Sequence, residues 1–129
     1  MHFYVIMPVD SDQQFTKKKG IIQAEAQGVK LEPFFPLDRK YKEQFDLNSA
    51  IGDLRNSSFV IADLSLERPS CYFELGLAQA IGKPTILIAE EGTPIHQAYR
   101  RNQVRFYKDL DDYRRIILDI LRSAASQGI

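Results

Sequence analysis

The chain has 129 residues, of which 44% are apolar and 26% are charged, as expected for one globular domain with a hydrophobic core. Its 17 basic and 17 acidic residues balance, so the sequence predicts no positively charged face for duplex nucleic acid. One cysteine and two histidines exclude an internal disulfide, a cysteine-based zinc site and a histidine metal cluster, and we therefore expect no metal.

In the first half of the chain, apolar runs rich in β-formers alternate with helical patterns. The run FYVIM predicts a buried strand, and the polar residues at 10–12 are potential caps of a helix. Pro33 indicates that the second strand lies at an edge of its sheet. The predicted elements are a strand at 3–7, a helix from the caps to about residue 28, a strand at 29–34, a polar loop at 35–42 and a helix at 43–55.

The second half continues the alternation. Gly82 is placed to end a helix, and Asp109 is placed to begin one. The predicted elements are strands at 58–62, 85–89 and 104–107, helices at 70–81 and 109–125, and a loop at 91–102 with one helical turn.

Strands that alternate with helices predict a parallel sheet that is covered on both faces. We therefore expect an α/β protein, a flavodoxin-like three-layer sandwich with a five-stranded parallel sheet, in which residues 1–129 form a single domain. Ligands bind such sheets beyond the carboxyl ends of the strands, near the switch point. The predicted ligand-binding loops are therefore 8–12, 35–42 and 63–70.

Glu74 is the only formally charged residue between Ser70 and Gly82, in a helix that we expect to be largely buried. A carboxylate among apolar neighbours costs stability unless something pairs with it, and such acids at the mouth of an α/β sheet are candidates for chemistry. We expect the helix N-terminus to favour its ionised form. Glu74 is predicted to be a nucleophile or general base, the alternative being an acid paired with helix amides or a neighbouring arginine.

Two aspartates are further candidates. Asp63 directly follows the strand at 58–62, where an active-site carboxylate would project, although an aspartate can equally cap a turn there. Asp46 opens the segment DLNSAI on the helix that leads into the same strand. From the residues alone, before any resemblance to a family is considered, Asp46 is interpreted as a solvent-exposed acid on a helix.

The residues around Pro69 suit an anion. Arg68 and Ser70 combine a basic side chain, a hydroxyl and the first amides of a helix, which together can bind a phosphate. The alternative is a capping serine beside a surface arginine. Met7 and Pro8 end the first strand, where they are expected either to wall the pocket or to pack in the core.

Two other residues of the same helix have simpler explanations. Gly76 costs about 1 kcal/mol relative to alanine in a helix interior, and a close approach between helix and strand would explain it. Cys71 is interpreted as a small buried side chain rather than a nucleophile, because no histidine lies near it in the sequence. The chain has no Walker loop, G-x-G-x-x-G or G-x-S-x-G motif, so the enzyme classes that use them lose support.

The segment FVIADLSLERPSCYFELGLAQAIGKPTILIA resembles the nucleoside 2-deoxyribosyltransferase-like superfamily. That group includes base-swapping transferases and nucleotide N-glycoside hydrolases, and TIR-like domains are its structural relatives. The shared pattern is a strand, an acidic loop, a helix with E-x-G-x-A, then G-K-P and another strand. In this chain the pattern is formed by Glu74, Gly76 and Ala78, followed by Gly82-Lys83-Pro84.

The resemblance implies that Glu74 attacks the anomeric carbon of a ribosyl or deoxyribosyl group, without a metal or organic cofactor. A second acid would protonate or orient the base, and Asp63 and Asp46 are the candidates. The resemblance also implies that the aspartate of DLNSAI touches the substrate. The loop before the glutamate differs from the family pattern, because Arg68-Pro69-Ser70 stands where an aspartate and a glycine are usual. This difference favours a phosphorylated ligand, a 5′-nucleotide or a dinucleotide rather than a bare nucleoside.

Two other functions stay open at this point: a TIR-like NAD hydrolase that uses the same glutamate, and a non-catalytic nucleotide-binding or protein-interaction module on the same fold. The family commonly forms dimers or larger assemblies, so we expect a homo-oligomer. No apolar run approaches the roughly 20 residues of a membrane span, and the amino terminus lacks the basic start of a signal peptide. We therefore expect a cytoplasmic protein without membrane contact.

Overall fold

The computed structural model describes residues 1–36, 46–96 and 100–127, with Arg101 described by its backbone alone. Five parallel strands pair in the order β2-β1-β3-β4-β5. This is the strand order of the flavodoxin-like folds, so the predicted α/β class and five-stranded parallel sheet are confirmed. The strands are β1 (His2–Ile6), β2 (Glu32–Phe34), β3 (Phe59–Asp63), β4 (Thr85–Glu90) and β5 (Arg105–Tyr107).

Four α-helices within the described residues cover the two faces of the sheet. A short 3₁₀ turn, Ser65–Glu67, joins β3 to the helix that carries Glu74, and another, Arg101–Gln103, lies where one helical turn was predicted. The helices are α1 (Phe15–Gly28), α2 (Leu47–Arg55), α3 (Pro69–Ala80) and α4 (Leu110–Gln127).

Two apolar cores lie on the two sides of the sheet, because successive residues of a strand point to opposite faces. In β1, Phe3 and Val5 pack with residues of α1 and α4. Tyr4 and Ile6 pack with residues of α2 and α3 on the other face. The molecule therefore has the predicted three layers, and the apolar side chains of the central strands β1 and β3 belong to one core or the other.

The helix caps agree only in part with the sequence. α1 begins at Phe15 with Gln14 as its N-cap, so the prediction of a cap at 10–12 is wrong. Asp12 instead accepts the backbone N–H of Gln14 and binds Lys18, which commits its carboxylate to the turn before the helix. Asp109 does cap α4, since its side chain accepts the backbone N–H of Asp112 at 2.8 Å.

Two segments differ in their bounds from the prediction, the second helix and the second strand. α2 begins at Leu47, and the predicted start of this helix at 43–45 lies outside the described residues, as do residues 37–42 of the predicted loop. The second strand is shorter than the predicted 29–34, because Lys30 adopts a left-handed conformation (φ 61°) in the turn that follows α1.

The G-K-P segment ends one helix and caps another. Gly82 has φ 78°, the left-handed conformation that glycine adopts at low cost, and it closes α3 with bonds from Gly82 N to Gln79 O and from Lys83 N to Ala78 O. The Lys83 ammonium donates to the carbonyl of Arg55, the last residue of α2, and to that of Ser57 beyond it. This motif therefore has a structural role, since it fixes α3 against α2.

The switch point of the sheet lies between β1 and β3, because the chain turns in opposite directions after these two strands. The loops that follow them are 7–14 and 64–68. A ligand of this sheet is therefore expected between these two loops, at the start of α3.

Candidate functional site

Glu74 and Tyr4 form a hydrogen-bonded pair beside the switch point. Glu74 is half-buried in the second turn of α3, and its Oε2 accepts a bond of 2.6 Å from the Tyr4 hydroxyl. Tyr4 is fully buried in β1, and its ring lies 5.6 Å from the ring of Phe34 in β2. Tyr4 is the only hydrogen-bond partner of the Glu74 side chain among the described residues, which leaves Oε1 for a ligand.

The ionisation of Glu74 is governed by burial. Burial raises the pKa of Glu74 above its ordinary value, and the hydrogen bond from Tyr4 opposes that rise. The net direction is therefore toward the protonated form, opposite to the effect expected from the helix N-terminus. That effect is expected to be small here, because it falls off within the first turn and Glu74 is the sixth residue of α3.

Asp63 lies on the other face of the sheet. It is 1% exposed, its Oδ1 accepts the backbone N–H of Ser65 at 3.0 Å, and its Oδ2 accepts the Tyr107 hydroxyl at 2.8 Å. Burial raises the pKa of Asp63, against the lowering effects of the Lys18 charge and of the bonds from Ser65 and Tyr107. The structure thus does not bring Asp63 into contact with Glu74, and its catalytic role stays a prediction.

The other polar candidates lie at helix starts. Asp46 is the exposed N-cap of α2, and its two carboxylate oxygens accept from the backbone of Asn48 and the hydroxyl of Ser49. Arg68 is the exposed N-cap residue of α3, and Ser70 is exposed in the first turn of the same helix. Arg68 and Ser70 are therefore together at the end of the loop after β3, as the sequence predicted, and their binding roles stay predictions.

Met7 and Pro8 are both buried at the end of β1. Met7 is 8% exposed and belongs to the core on the α1 and α4 side, opposite the Glu74 side chain. Of the two interpretations that the sequence left open for Met7, core packing agrees with this position. Their predicted place in the wall of a ligand pocket stays a prediction.

Cys71 is a buried thiol one turn before Glu74. It is 2% exposed, and burial, together with the nearby charges of Glu74 and Asp63, raises its pKa to about 12. A thiol with such a pKa is almost entirely protonated at neutral pH, and the thiolate is the nucleophilic form. These properties agree with the interpretation of Cys71 as a small core side chain.

One face of α3 is open to solvent, so the prediction of a largely buried helix is wrong. Cys71, Leu75 and Ala78 are buried, whereas Phe73 is 53% exposed. A Cβ atom added to Gly76 would have no other atom within 4 Å, so close approach to a strand does not explain this glycine. The apolar stripe of α3, which we define as Phe73, Gly76, Leu77 and Ala80, recurs at one-turn spacing. All of it is exposed except Leu77, which is partly buried against the core.

Other features of the described residues lie away from this site. No group of three or more His, Cys, Asp or Glu side chains in residues 1–36, 46–96 and 100–127 has the arrangement of a metal site. None of the helices described is long and apolar enough to cross a membrane. A cavity of about 290 Å³ lies under α4 at the opposite edge of the sheet. Its lining is Phe59, Pro84, Ile86, Arg105, Asp119, Ile120, Ser123, Ala124 and Gln127.

Comparisons with known proteins give matches among solved structures only. No family model matches the chain, and no curated protein matches it. A 2-deoxyribosyltransferase from Bacillus psychrosaccharolyticus has a TM-score of 0.66 and 14% identity, with 94% of this chain and 96% of that chain covered. A CMP N-glycosidase from Clostridium botulinum has a TM-score of 0.64 and 16% identity, with 93% and 99% covered.

A third structure is similar over a shorter part of the chain. It is a 2-deoxyribosyltransferase from Leishmania mexicana, with a TM-score of 0.57, 25% identity and coverage of 72% of this chain and 67% of that chain. The chain has a nucleoside 2-deoxyribosyltransferase-like fold. In this fold the E-x-G-x-A residues lie on α3, and Gly82 and Lys83 end that helix.

Tyr4 is the residue of the site that the sequence analysis missed. Its number lies 70 residues from that of Glu74, and nothing in the local pattern joins them. One signal was present, because Tyr4 is the only residue of the strand FYVIM that carries a hydrogen-bonding side-chain hydroxyl. A buried tyrosine hydroxyl usually has a hydrogen-bond partner, so a polar group on the facing helix was to be expected.

We expect Tyr4→Phe to raise the pKa of Glu74 further, because the substitution removes the hydrogen bond that favours the carboxylate. Stability should fall by about 1.5–3 kcal/mol at neutral pH, the range for hydrogen bonds to charged groups. The loss should shrink as the pH falls below the pKa of Glu74, because the protonated carboxyl no longer carries the buried charge. Carboxyl ¹³C NMR titration and urea unfolding at several pH values measure both effects.

Tyr113→Phe is the matched control for this measurement. Tyr113 is buried on the other face of the sheet, and its hydroxyl has no hydrogen-bond partner among the described residues. We expect this control to leave the pKa of Glu74 unchanged. An unchanged Glu74 pKa in Tyr4→Phe would contradict the electrostatic role given to Tyr4.

Proposed function

We propose that this protein cleaves or transfers the N-glycosidic bond of a nucleoside 5′-phosphate or a related nucleotide, with Glu74 as the nucleophile. The observation that carries the proposal is the pair formed by Glu74 and Tyr4, a half-buried carboxylate with one oxygen held and the other available. The pair lies next to the switch point of a nucleoside 2-deoxyribosyltransferase-like fold. Solved structures with that fold include proteins described as 2-deoxyribosyltransferases and as a CMP N-glycosidase.

In the proposed reaction, ionised Glu74 attacks the anomeric carbon of the sugar through Oε1 while Tyr4 holds Oε2. The bond between the anomeric carbon and the base nitrogen breaks, its electron pair leaves with the base, and the base takes up a proton. A glycosyl ester on Glu74 results. Water then releases the sugar, or a second base takes it, and either step regenerates the carboxylate.

The proton of the leaving base is assigned to a second acid, for which Asp46 and Asp63 were the candidates. Asp46 is exposed and lies at the start of α2. Asp63 is buried with both oxygens accepting hydrogen bonds. Asp46 is therefore favoured as the group that contacts the substrate, because its side chain is exposed and that of Asp63 is buried.

Arg68 and Ser70 are proposed to bind the 5′-phosphate. Both side chains are exposed at the start of α3, and the helix begins with Pro69, so Ser70 supplies its first backbone N–H. A guanidinium, a hydroxyl and a helix N-terminus are each suited to an anion.

The described residues share one sheet with a core on each face, which supports the proposal that residues 1–129 act as one domain.

A nucleotide-binding module without catalysis is the second candidate. The burial and full hydrogen bonding of Asp63 favour it, because one of the two predicted second acids is then not available to a substrate. Both candidates require nucleotide binding, and only the first requires turnover by Glu74.

We expect the purified protein to release free base from at least one member of a panel of nucleosides, 5′-nucleotides and NAD, followed by chromatography. Glu74→Gln should lower the rate at least about a thousandfold, because the amide keeps the shape of the side chain and loses the nucleophile. Glu91→Gln is the matched control, since Glu91 is an exposed glutamate beyond the end of β4, and it should keep the wild-type rate.

The products of this panel separate the candidate functions. Nicotinamide release from NAD alone would support the TIR-like alternative. Binding of nucleotides without release of any base, also in the presence of an acceptor base, would contradict catalysis and leave the binding module.

We expect Arg68→Ala to weaken the binding of 5′-nucleotides by about 10-fold to 100-fold, the range for loss of a charge-assisted hydrogen bond. The binding of the corresponding nucleosides should change little, because they carry no phosphate. Calorimetric titration measures both, and Arg122→Ala on the exposed face of α4 is the matched control. Equal binding of nucleosides and nucleotides, unchanged in Arg68→Ala, would remove the phosphate from the proposal.

Self-association is also part of the proposal, with a second copy of this chain on the apolar stripe of α3. The stripe is uncharged and contains an exposed phenylalanine, and the side of Gly76 on which a Cβ would lie is open, which allows another helix to approach closely. We expect light scattering to give an oligomer for the wild type and a monomer for Phe73→Lys. Phe106→Lys, at another exposed phenylalanine, should stay oligomeric. A monomeric wild type would contradict this part of the proposal.

A further inference from the structure

A buried polar network lies on the face of the sheet opposite Glu74. Lys18 of α1 is 0% exposed, and its ammonium donates to Asp12 Oδ2 at 2.6 Å and to the Tyr107 hydroxyl at 2.8 Å. The same ammonium lies 5.0 Å from the centre of the Tyr107 ring. The proposed reaction uses none of these groups, so their presence requires another explanation.

The hydrogen bonds of the network have consistent directions around Tyr107. Its hydroxyl donates its proton to Asp63 Oδ2 at 2.8 Å. Ser65 Oγ accepts the backbone N–H of Glu90 at 2.7 Å. Because the Tyr107 proton points to Asp63, the Ser65 hydroxyl is the donor in its hydrogen bond of 2.9 Å with the Tyr107 oxygen. The Tyr107 hydroxyl thus makes three hydrogen bonds, one donated and two accepted, with Lys18 as the other donor. All the hydrogen-bonding capacity of this hydroxyl is used.

The partners of Tyr107 come from different elements at the carboxyl edge of the sheet. Asp12 belongs to the loop after β1 and is linked to Tyr107 through Lys18, which donates to both side chains. Ser65 begins the turn after β3. Asp63 is the last residue of β3, and Tyr107 itself ends β5. The loops 7–14 and 64–68, which flank the switch point, are therefore both tied to this one hydroxyl.

The loop at 64–68 contains local strain that such an anchor can hold. Leu66 and Glu67 have φ of 65° and 44°, the left-handed region, in a segment without glycine. Conformations of this kind persist only where the surrounding structure determines them. The strained pair lies between Ser65, which the network holds, and Arg68, which begins α3.

We propose that Tyr107 is a positioning residue, whose hydroxyl holds the loops 7–14 and 64–68 in the arrangement that brings Arg68 and Ser70 to a bound nucleotide. The inference rests on the proposed function. Tyr107 acts through the loops rather than by contact, because it lies on the opposite face of the sheet from the pair of Glu74 and Tyr4. Its loss should therefore weaken nucleotide binding more than it slows the chemical step.

Tyr107→Phe and Tyr113→Phe form a matched pair for the test. The two rings touch edge to face with centres 4.9 Å apart, and both side chains are buried. The Tyr107 hydroxyl makes three hydrogen bonds, whereas that of Tyr113 has no partner among the described residues. The same chemical change in the same core thus removes the network in one variant and leaves it in the other.

In Tyr107→Phe we expect the dissociation constant for 5′-nucleotides, measured by calorimetry, to rise about tenfold, the effect of about 1.4 kcal/mol. Where base is released, KM should rise in parallel and kcat should change less than about threefold. Amide hydrogen exchange within 64–68 should become faster. Tyr113→Phe should match the wild type in all three measurements, and Ser65→Ala should repeat the effect at smaller size if Tyr107→Phe does not fold.

Faster exchange together with weaker nucleotide binding supports the inference, whether or not base is released. Unchanged exchange or unchanged nucleotide binding in both Tyr107→Phe and Ser65→Ala overturns it. Failure of the proposed function is seen separately, as a wild-type protein that binds nucleotides without releasing base or that binds none. The last result overturns the inference as well, before any variant is made.

Discussion

A polar side chain buried in a sheet that is covered on both faces costs stability unless it forms hydrogen bonds, and two clusters of hydrogen-bonded side chains in this protein follow from that constraint. On the α3 face, Tyr4 binds one oxygen of Glu74 and leaves the other. On the opposite face, Lys18, Asp63 and Tyr107 form a network in which the central hydroxyl makes all the bonds it can. The first cluster therefore retains the capacity to bind something further, and the hydroxyl at the centre of the second has none left.

This difference supports separate roles for the two faces. Burial raises the pKa of both Glu74 and Asp63, but both oxygens of Asp63 accept hydrogen bonds, whereas Glu74 accepts one through Oε2 alone among the described residues. The Lys18 network joins elements that are distant in sequence and ends in loops beside the switch point. A buried ion pair adds little to stability compared with apolar packing, so a role in geometry is the better account of its presence.

The sequence was most informative where the signal is local. The single charge of α3, the glycine that ends the helix and the aspartate that caps α4 could each be recognised from neighbouring residues, and Gly82 and Asp109 act as expected. Asp63 was correctly located at the end of a strand. Alternation along β3 puts Asp63 on the same face of the sheet as Phe59 and Ile61. Which helices cover that face depends on how the chain crosses over the sheet, and the local sequence does not determine this.

The sequence by itself determined the α/β class, the five parallel strands and the position of Glu74 in its helix, because hydrophobic periodicity and turn residues act over short distances. Only the tertiary structure decided that Glu74 would meet Tyr4 and that Lys18 would meet Tyr107, pairs separated by 70 and 89 residues. Such contacts follow from the order of strands and from the face that each helix covers. Both are set by the packing of the whole sheet rather than by any local run of residues.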